Sequence, residues 1–136
     1  MRGALLAALS IALGGCAGVG SLRDGLQPFV GQDIHAAVDV LGYPDGKREM
    51  LGDTIYYWST SHSAPLLMPT TSTTTATAGT TTVIASTHST QPVTGLYHCT
   101  IQMAVDTDNR IKSYQVSGNN GGCASYSRTV SRATGR

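Results

Sequence analysis

The strongest helical pattern in the chain follows Asp33. Apolar residues stand at positions i, i+3, i+4 and i+7, which lie on one face of a helix: Ile34, Ala37, Val38 and Leu41. Asp33 has the short acceptor side chain of an N-cap, Gly42 stands where a left-handed C-cap belongs, and Pro44 prevents the helix from continuing. A weaker apolar stripe with helical periodicity predicts an earlier helix: Leu22, Leu26, Phe29 and Val30.

A period of two predicts strands in the rest of the chain. Apolar residues alternate with more polar ones from Tyr97 to Val105, so one face of this strand is expected to be buried: Tyr97, Cys99, Ile101, Met103 and Val105. Further runs typical of strands occupy residues 47–51, 54–60 and 111–116. The pattern therefore indicates four antiparallel strands.

Turn-forming residues separate these strands. Gly52-Asp53 predicts a tight type II′ hairpin turn, and residues 106–109 predict another, in which Asn109 tolerates a positive φ. Gly118 to Gly122 predicts a bend, and residues 123–131 form either a short helix or a last extended piece.

A threonine-rich segment divides the predicted second and third strands. Residues 70–94 contain twelve threonines, and Thr54 to Val105 contains no Asp, Glu, Lys or Arg. Such low complexity buries little apolar surface, which predicts a disordered or weakly ordered loop over 62–94. The alternative is a pair of edge strands, because threonine favours β structure.

The predicted fold class is therefore α+β, with two short N-terminal helices packed on a small antiparallel β-sheet. One small domain is expected over residues 22–132, interrupted by the Thr-rich loop. Fewer than about 80 residues would be ordered, so its core is expected to be marginal without a covalent staple.

The first sixteen residues have the layout of a bacterial export sequence: a basic start at Arg2, an apolar run, and small residues before Cys16. Leu-Gly-Gly-Cys at the end of this segment resembles the lipobox of bacterial lipoproteins. In that family the signal is removed and the cysteine thiol is acylated. The resemblance implies a signal peptide over 1–15, a lipid-modified Cys16 and a tether over 16–21. An ordinary signal peptide with a chance cysteine is the alternative.

Lipid would then be the membrane anchor. The apolar run of about ten residues is too short to cross a hydrocarbon layer of ~30 Å, whereas two or more acyl chains give stable attachment. Ala17 follows the cysteine where aspartate is the familiar inner-membrane retention residue. By resemblance, the predicted location is the outer membrane, on its periplasmic face.

Charge argues against a nucleic-acid partner. Removal of residues 1–15 takes away Arg2, which leaves eight basic and eight acidic residues, and no basic patch or charge run is present. The Gly-rich stretches lack phosphate-loop spacing, so neither a nucleotide nor another small-molecule substrate is predicted.

A disulfide is predicted between Cys99 and Cys123. An exported chain meets an oxidising compartment, where a remaining pair of cysteines usually forms a bond. Closing this loop would stabilise the fold by roughly 3–4 kcal/mol in the chain-entropy model. Two free buried thiols are the alternative.

Several stretches are similar to the pattern of the SmpA/OmlA/BamE-like lipoproteins: Gly31-Gln32-Asp33-Ile34, Ala37-Val38, Leu41-Gly42-Tyr43-Pro44 and Tyr57-Trp58. The region from Cys99 to Cys123 resembles the closing hairpin of small proteobacterial relatives. The resemblance implies two helices on an antiparallel sheet, a fold shared with β-lactamase-inhibitor-type domains. It also implies a role in outer-membrane protein assembly or envelope integrity.

No metal site or other cofactor is predicted. The four histidines show no metal-ligand spacing: His35, His62, His88 and His98. Neighbouring His98 and Cys99 would point to opposite faces of a strand, so they cannot act as base and nucleophile. Asp106 and Asp108 could serve as acid and base or bind calcium, but they are predicted to form a turn.

Four aromatic residues are candidates for a partner-binding surface: Tyr56, Tyr57, Trp58 and Tyr97. Aromatic side chains are enriched at interface hot spots, but they also fill cores. The predicted function is a non-enzymatic, lipid-anchored envelope module that binds an envelope protein. The alternatives are a β-lactamase-inhibitor-like binding domain, or a surface- or wall-contacting lipoprotein that acts through its Thr-rich insert.

Overall fold

The computed structural model describes residues 18–135, which form an α+β fold of three α-helices and one four-stranded antiparallel sheet. The helices are α1 (Val19–Leu26), α2 (Ile34–Leu41) and α3 (Asn120–Thr134), and a short 3₁₀ turn (Gln27–Phe29) follows α1. The strands are β1 (Gly46–Met50), β2 (Asp53–Ala78), β3 (Thr81–Val105) and β4 (Ile111–Gly118). The predicted class and the antiparallel sheet are confirmed.

The two central strands are much longer than their neighbours. The sheet order is β1-β2-β3-β4, with β2 of 26 and β3 of 25 residues. β1 pairs with β2 only over residues 53–57, and β4 pairs with β3 only over residues 99–105. The sheet is therefore four-stranded at one end and two-stranded beyond it.

The disorder predicted for residues 62–94 is wrong in this structure. These residues belong to β2 and β3, which stay in unbroken register up to Ala78 opposite Thr81. The prediction of disorder considered only how much apolar side-chain surface the segment can bury. Backbone hydrogen bonds across a hairpin and the β propensity of threonine order the segment without a core, as the edge-strand alternative supposed.

One hydrophobic core forms between the helices and one face of the four-stranded part. The alternation predicted for β3 is confirmed from Cys99 to Val105, because Cys99, Ile101, Met103 and Val105 are at most 1% exposed. Tyr97, which was predicted to share the buried face, is only partly buried. From the helices come Leu22, Leu26, Ile34, Ala37, Cys123 and Val130. Trp58 on β2 is 2% exposed, and its Nε1 donates to the carbonyl oxygen of Gly42 at 2.8 Å. This bond ties the end of α2 to the sheet.

The predicted N-cap of α2 is confirmed, and Gly42 ends the helix with a positive φ, although its ψ of −176° lies outside the left-handed helical region. The Asp33 carboxylate accepts a hydrogen bond from the backbone N–H of His35 at 2.9 Å. Gly42 has φ +84°, and its N–H donates to the carbonyl of Val38. A residue with a Cβ rarely adopts such a φ, which explains glycine at this position.

Two other helix boundaries differ from expectation. α1 begins at Val19, so residues 19–21 of the tether predicted over 16–21 are helical. The open alternative at 123–131 is a helix, α3, and it begins at Asn120 inside the segment that was expected to be only a bend. Asn119 accepts a hydrogen bond from the Gly122 N–H at 2.9 Å, a cap that the run of glycines concealed.

The first hairpin turn lies one residue earlier than predicted. Leu51 and Gly52 form it, with φ values of +55° and +86°. Positive φ at both central residues matches a type I′ rather than a II′ turn, and the type I′ twist suits paired strands. Asn109 has φ +59°, as expected.

Over residues 18–135, no helix has the length and apolar character needed to cross a membrane. The predicted signal peptide, Cys16 and Ala17 lie outside the described residues.

Candidate functional site

Beyond the four-stranded part, β2 and β3 continue as a two-stranded hairpin that we call the ribbon (residues 61–98). Ser61 lies opposite His98 at its base, and Gly79 and Thr80 form the turn at its tip. At ~3.3 Å per residue the ribbon extends about 60 Å. Within it, no side chain between residues 61 and 96 is buried, whichever face it lies on. The ribbon is thus a surface element without a layer of described residues packed on it.

The exposed ribbon carries no Asp, Glu, Lys or Arg side chain. Apolar residues lie on both of its faces instead. Leu66 lies opposite Val93 on one face, whereas Leu67 and Ile84 on the other face are 66% and 67% exposed. Exposed apolar side chains collected on one element are typical of an interaction surface.

The two edges of the ribbon have a defined backbone polarity. Tyr57 and Ser59 of β2 point their backbone groups away from β3, because the Tyr57 carbonyl accepts from the Asp45 N–H and the Ser59 N–H donates to the Asp45 carboxylate. Leu96 of β3 points its carbonyl away from β2, toward the Asn119 side chain. Backbone direction alternates with a period of two in an antiparallel pair. Odd-numbered residues of β2 and even-numbered residues of β3 therefore present N–H and C=O at the outer edges.

Three prolines follow this rule. Pro65, Pro69 and Pro92 lie opposite Thr94, Thr90 and Leu67, respectively. Each proline stands at an outward position, where its missing N–H breaks no bond inside the ribbon. Because they cannot donate to an incoming strand, they block both edges near the base.

The distal half of the ribbon (residues 70–90) has no such block. Its outward positions lie on both edges: Thr71, Thr73, Thr75 and Thr77 on β2, and Thr82, Ile84, Ser86, His88 and Thr90 on β3. Soluble proteins usually protect free edges with charged residues, proline or a covering element. Within residues 70–90 there is no Asp, Glu, Lys, Arg or proline, and no other strand of residues 18–135 pairs there. The distal edges are therefore open templates for strand pairing.

α3 holds the base of the ribbon. A disulfide joins Cys99 of β3 to Cys123 of α3, with Cα atoms 4.9 Å apart. Asn119 donates through Nδ2 to the Leu96 carbonyl at 2.8 Å and through its backbone N–H to the His98 carbonyl at 3.0 Å. These contacts close the outer edge of β3 at the base, so only the part beyond it stays open.

The structure separates the four aromatic candidates for an interface. Trp58 belongs to the core, whereas Tyr56 packs only partly buried against it. Tyr57 lies one residue away on the opposite face of the sheet, half-buried beside Gly46. Tyr97 stacks on His62 at the ribbon base, with ring centroids 5.3 Å apart. Trp58 is therefore the one buried residue of the four, and the three tyrosines are partly accessible.

The histidines are spread over the molecule rather than gathered at one place. His35 Nδ1 lies 2.6 Å from the Asp33 carboxylate, and His88 Nδ1 lies 3.2 Å from the Thr71 hydroxyl. Over residues 18–135, no three His, Cys, Asp or Glu side chains converge as a metal site would require.

Hydrogen bonds lower the pKa of the Asp33 carboxyl below its ordinary 3.8, first from the His35 N–H and then from the His35 side chain. Asp33 therefore stays ionised as the cap of α2 at neutral pH. Asp106 accepts hydrogen bonds from the N–H groups of Asp108 and Arg110 at 2.9 and 3.0 Å, as a turn-forming aspartate does. Both carboxylates thus have a structural role.

Sequence reasoning missed two features of this site: the edge prolines and the Asn119 clamp. Pro65 and Pro69 share one parity in a polar β-rich segment, which is the pattern of an edge strand. The Asn119 contact to Leu96 joins residues far apart in the chain, so no local pattern reveals it. No protein-family model, curated protein or solved structure matches this chain.

Proposed function

We propose that this protein is a lipid-anchored envelope lipoprotein that acts by binding rather than by catalysis, with the ribbon as its contact element. The observation that carries the proposal is the ribbon itself: about 60 Å of exposed, uncharged hairpin, with open edges, on a small disulfide-stapled body. Of the functions considered from the sequence, contact through the Thr-rich segment accords best with this geometry.

The position of the start of α1 supports a link between anchor and ribbon. The Val19 N–H donates to the Asn120 side chain at 3.2 Å, and the adjacent Asn119 holds Leu96 at the ribbon base. Val19, the first residue of α1, therefore lies beside the ribbon base. Only residues 17 and 18 separate Cys16 from α1, and this is a reach of about 10 Å at most. A lipid on Cys16 would hold the body close to the membrane surface, and the ribbon would supply the reach that the tether lacks.

A bacterial host that makes the full chain allows the anchor to be tested. A clickable palmitate analogue should label the wild-type chain and place it in the membrane fraction. Cys16→Ala should lose the label and become soluble after lysis. An unlabelled wild-type chain that is soluble would overturn the anchor.

Shortening the hairpin tests the contact element. Residues 65–94 are replaced by Asn-Gly, so that Ala64 and Gly95, which lie opposite each other, flank a two-residue type I′ turn. The body should keep its disulfide and its cooperative unfolding, whereas the envelope function, read as resistance of cells to large antibiotics, should be lost. Full resistance with the shortened hairpin would place the contact elsewhere.

A second candidate is support of outer-membrane protein assembly from the periplasmic face, as the SmpA/OmlA/BamE-like resemblance implies. The residues that carry the resemblance have structural roles that accord with the helices-on-sheet arrangement it implies. Asp33 caps α2, Gly42 ends it, and Trp58 packs beneath it on the sheet. Co-purification of the full chain with the outer-membrane assembly complex tests this role, and an interaction that survives the loss of the ribbon would favour it over the first.

A further inference from the structure

We propose that the distal half of the ribbon pairs, through the outer edge of β2, with the same edge of a second copy of this chain. This choice of partner rests on the proposed role of the ribbon as the contact element. The pairing is antiparallel and centred on Thr74, so that it extends the sheet of each copy by the strand of the other.

The outer edge of distal β2 is chemically uniform. Its outward residues are Thr71, Thr73, Thr75 and Thr77, all exposed. β1 pairs with β2 only up to Tyr57, so no strand of the described residues lies beside this edge. Each outward threonine offers an N–H and a C=O to an incoming strand.

This edge is also complementary to itself. When two copies are antiparallel about Thr74, Thr73 lies opposite Thr75 of the second copy and Thr71 lies opposite Thr77. Every outward residue then finds a partner, and the four pairs exchange both of their N–H···O bonds. Cross-strand threonine pairs are favourable, and the ribbon already contains one, since the hydroxyl oxygens of Thr77 and Thr82 lie 3.3 Å apart.

Charge and symmetry favour a second copy over an unrelated partner. The ribbon has no Asp, Glu, Lys or Arg, so two copies approach without charge repulsion. For the same reason the edge gives a charged partner no electrostatic attraction. A pairing of identical edges about a twofold axis closes on itself. Lipid anchors on one membrane would raise the effective concentration of the copies.

The arrangement of prolines selects the register. Pro65 and Pro69 remove outward donors from β2 on the base side of the distal half. A pairing that slid toward the base would bring Pro69 first, and Pro65 after a longer slide, to positions where a donor is missing. The other free edge is less uniform, because Ile84 and His88 occupy it. These features favour the distal edge of β2.

Disulfide cross-linking of the full chain in bacterial cells tests the pairing. Thr74 lies opposite Thr74 of the second copy, so Thr74→Cys should yield a covalent dimer under mild oxidation. Ser72→Cys is the matched control, because the two side chains at position 72 of a pair would be about 13 Å apart along the strands. The cross-linked fraction of Ser72→Cys should equal the background fraction of the parent chain, which retains Cys16. The double variant S72C/A76C should restore the dimer, since Ser72 lies opposite Ala76 of the second copy.

A charge pair tests the same register without relying on the new cysteine alone. In the T74C background, T73K/T75K places lysine opposite lysine, whereas T73K/T75E places lysine opposite glutamate. Both variants have the same neighbours within the hairpin, Ser86 and Ile84. The cross-linked fraction should fall at least tenfold in T73K/T75K and recover in T73K/T75E. Equal fractions in the two variants, or a T74C dimer no stronger than that of S72C, would overturn the proposal.

The results separate the two proposals. If Cys16 is lipidated and the shortened hairpin loses its function while T74C remains monomeric, the second copy is the wrong partner and the ribbon keeps its role. If T74C dimerises while the shortened hairpin functions fully, the pairing stands and the proposed function fails.

Discussion

The side-chain amide of Asn119 donates a 2.8 Å hydrogen bond to the carbonyl of Leu96, which ties the start of α3 to the outer edge of β3. The same side chain accepts from the Gly122 N–H and caps the helix. One residue therefore both begins α3 and closes the strand edge at the ribbon base. Asn119 therefore covers the outer edge of β3 at the ribbon base, and the open edges lie in the distal half of the ribbon.

Asn119→Ala should lower the free energy of unfolding by about 1–2 kcal/mol, because it removes a helix cap and one further hydrogen bond. Urea unfolding followed by tryptophan fluorescence measures this change, since Trp58 lies in the core. Asn119→Asp is the matched variant, because it retains the oxygen that caps α3 but cannot donate to Leu96. It should be less stable than wild type, and stability equal to wild type would show that the Leu96 contact contributes nothing.

The double variant Cys99→Ala/Cys123→Ala should lose about 3–4 kcal/mol of stability. The bridge closes a loop with a sequence separation of 24, and the chain-entropy model assigns such a loop roughly that value. The urea midpoint of the double variant should match that of the wild-type chain in excess reductant. A wild-type midpoint that reductant leaves unchanged would contradict the stabilising role.

Gly122→Ala should destabilise the protein by about 1–3 kcal/mol, because a Cβ there would overlap backbone atoms of His98. Neither backbone segment can move easily, since the disulfide at the adjacent Cys123 fixes their separation. Gly20→Ala is the matched control in an exposed position of α1, where a Cβ would meet nothing within 4 Å. It should stabilise α1 by about 0.5–1 kcal/mol. Thermal or urea unfolding of both variants checks the contrast, which disappears if α3 does not approach His98.

Alkaline pH should destabilise the protein through Tyr126. Burial, and secondarily the nearby charge of Asp45, raise the pKa of this phenol above its ordinary 10.0. The folded state therefore holds the proton more tightly, and this contribution is complete below the unfolded pKa and lost as pH rises through the folded pKa. Tyr126→Phe should show a smaller loss of stability than wild type when urea midpoints are compared above about pH 10. Parallel losses in the two proteins would contradict the assignment.

Local patterns predicted the elements that local chemistry determines. Asp33 and Gly42 bound α2 because a cap needs an acceptor at one end and a positive φ at the other. The alternation from Cys99 to Val105 predicted a buried face because side chains alternate across a strand. The predicted first turn was one residue too late in the chain, because Leu51, an improbable residue for positive φ, occupies the first central position of the observed turn.

The ribbon and its clamp depended on information outside any short window. A threonine-rich segment that buries no side chains in a core predicts disorder. Order becomes the expectation only when pairing between distant residues, such as Ser61 and His98, is considered. The glycines after Asn119 predicted a bend. In the structure Gly122 belongs to α3 and lies against the backbone of His98, where a Cβ would not fit. The proposed contact surface is therefore the part of the molecule that sequence patterns described least well.

Amide hydrogen exchange, resolved by residue along Thr70–Ala78, tests most directly that the threonine-rich segment is an ordered hairpin with open edges. Even-numbered amides, which face β3, should exchange slowly, and the amides of Thr71, Thr73, Thr75 and Thr77 should exchange quickly in dilute monomer. Uniformly fast exchange along the whole segment would mean that no ribbon exists, and the proposed contact element would fail with it.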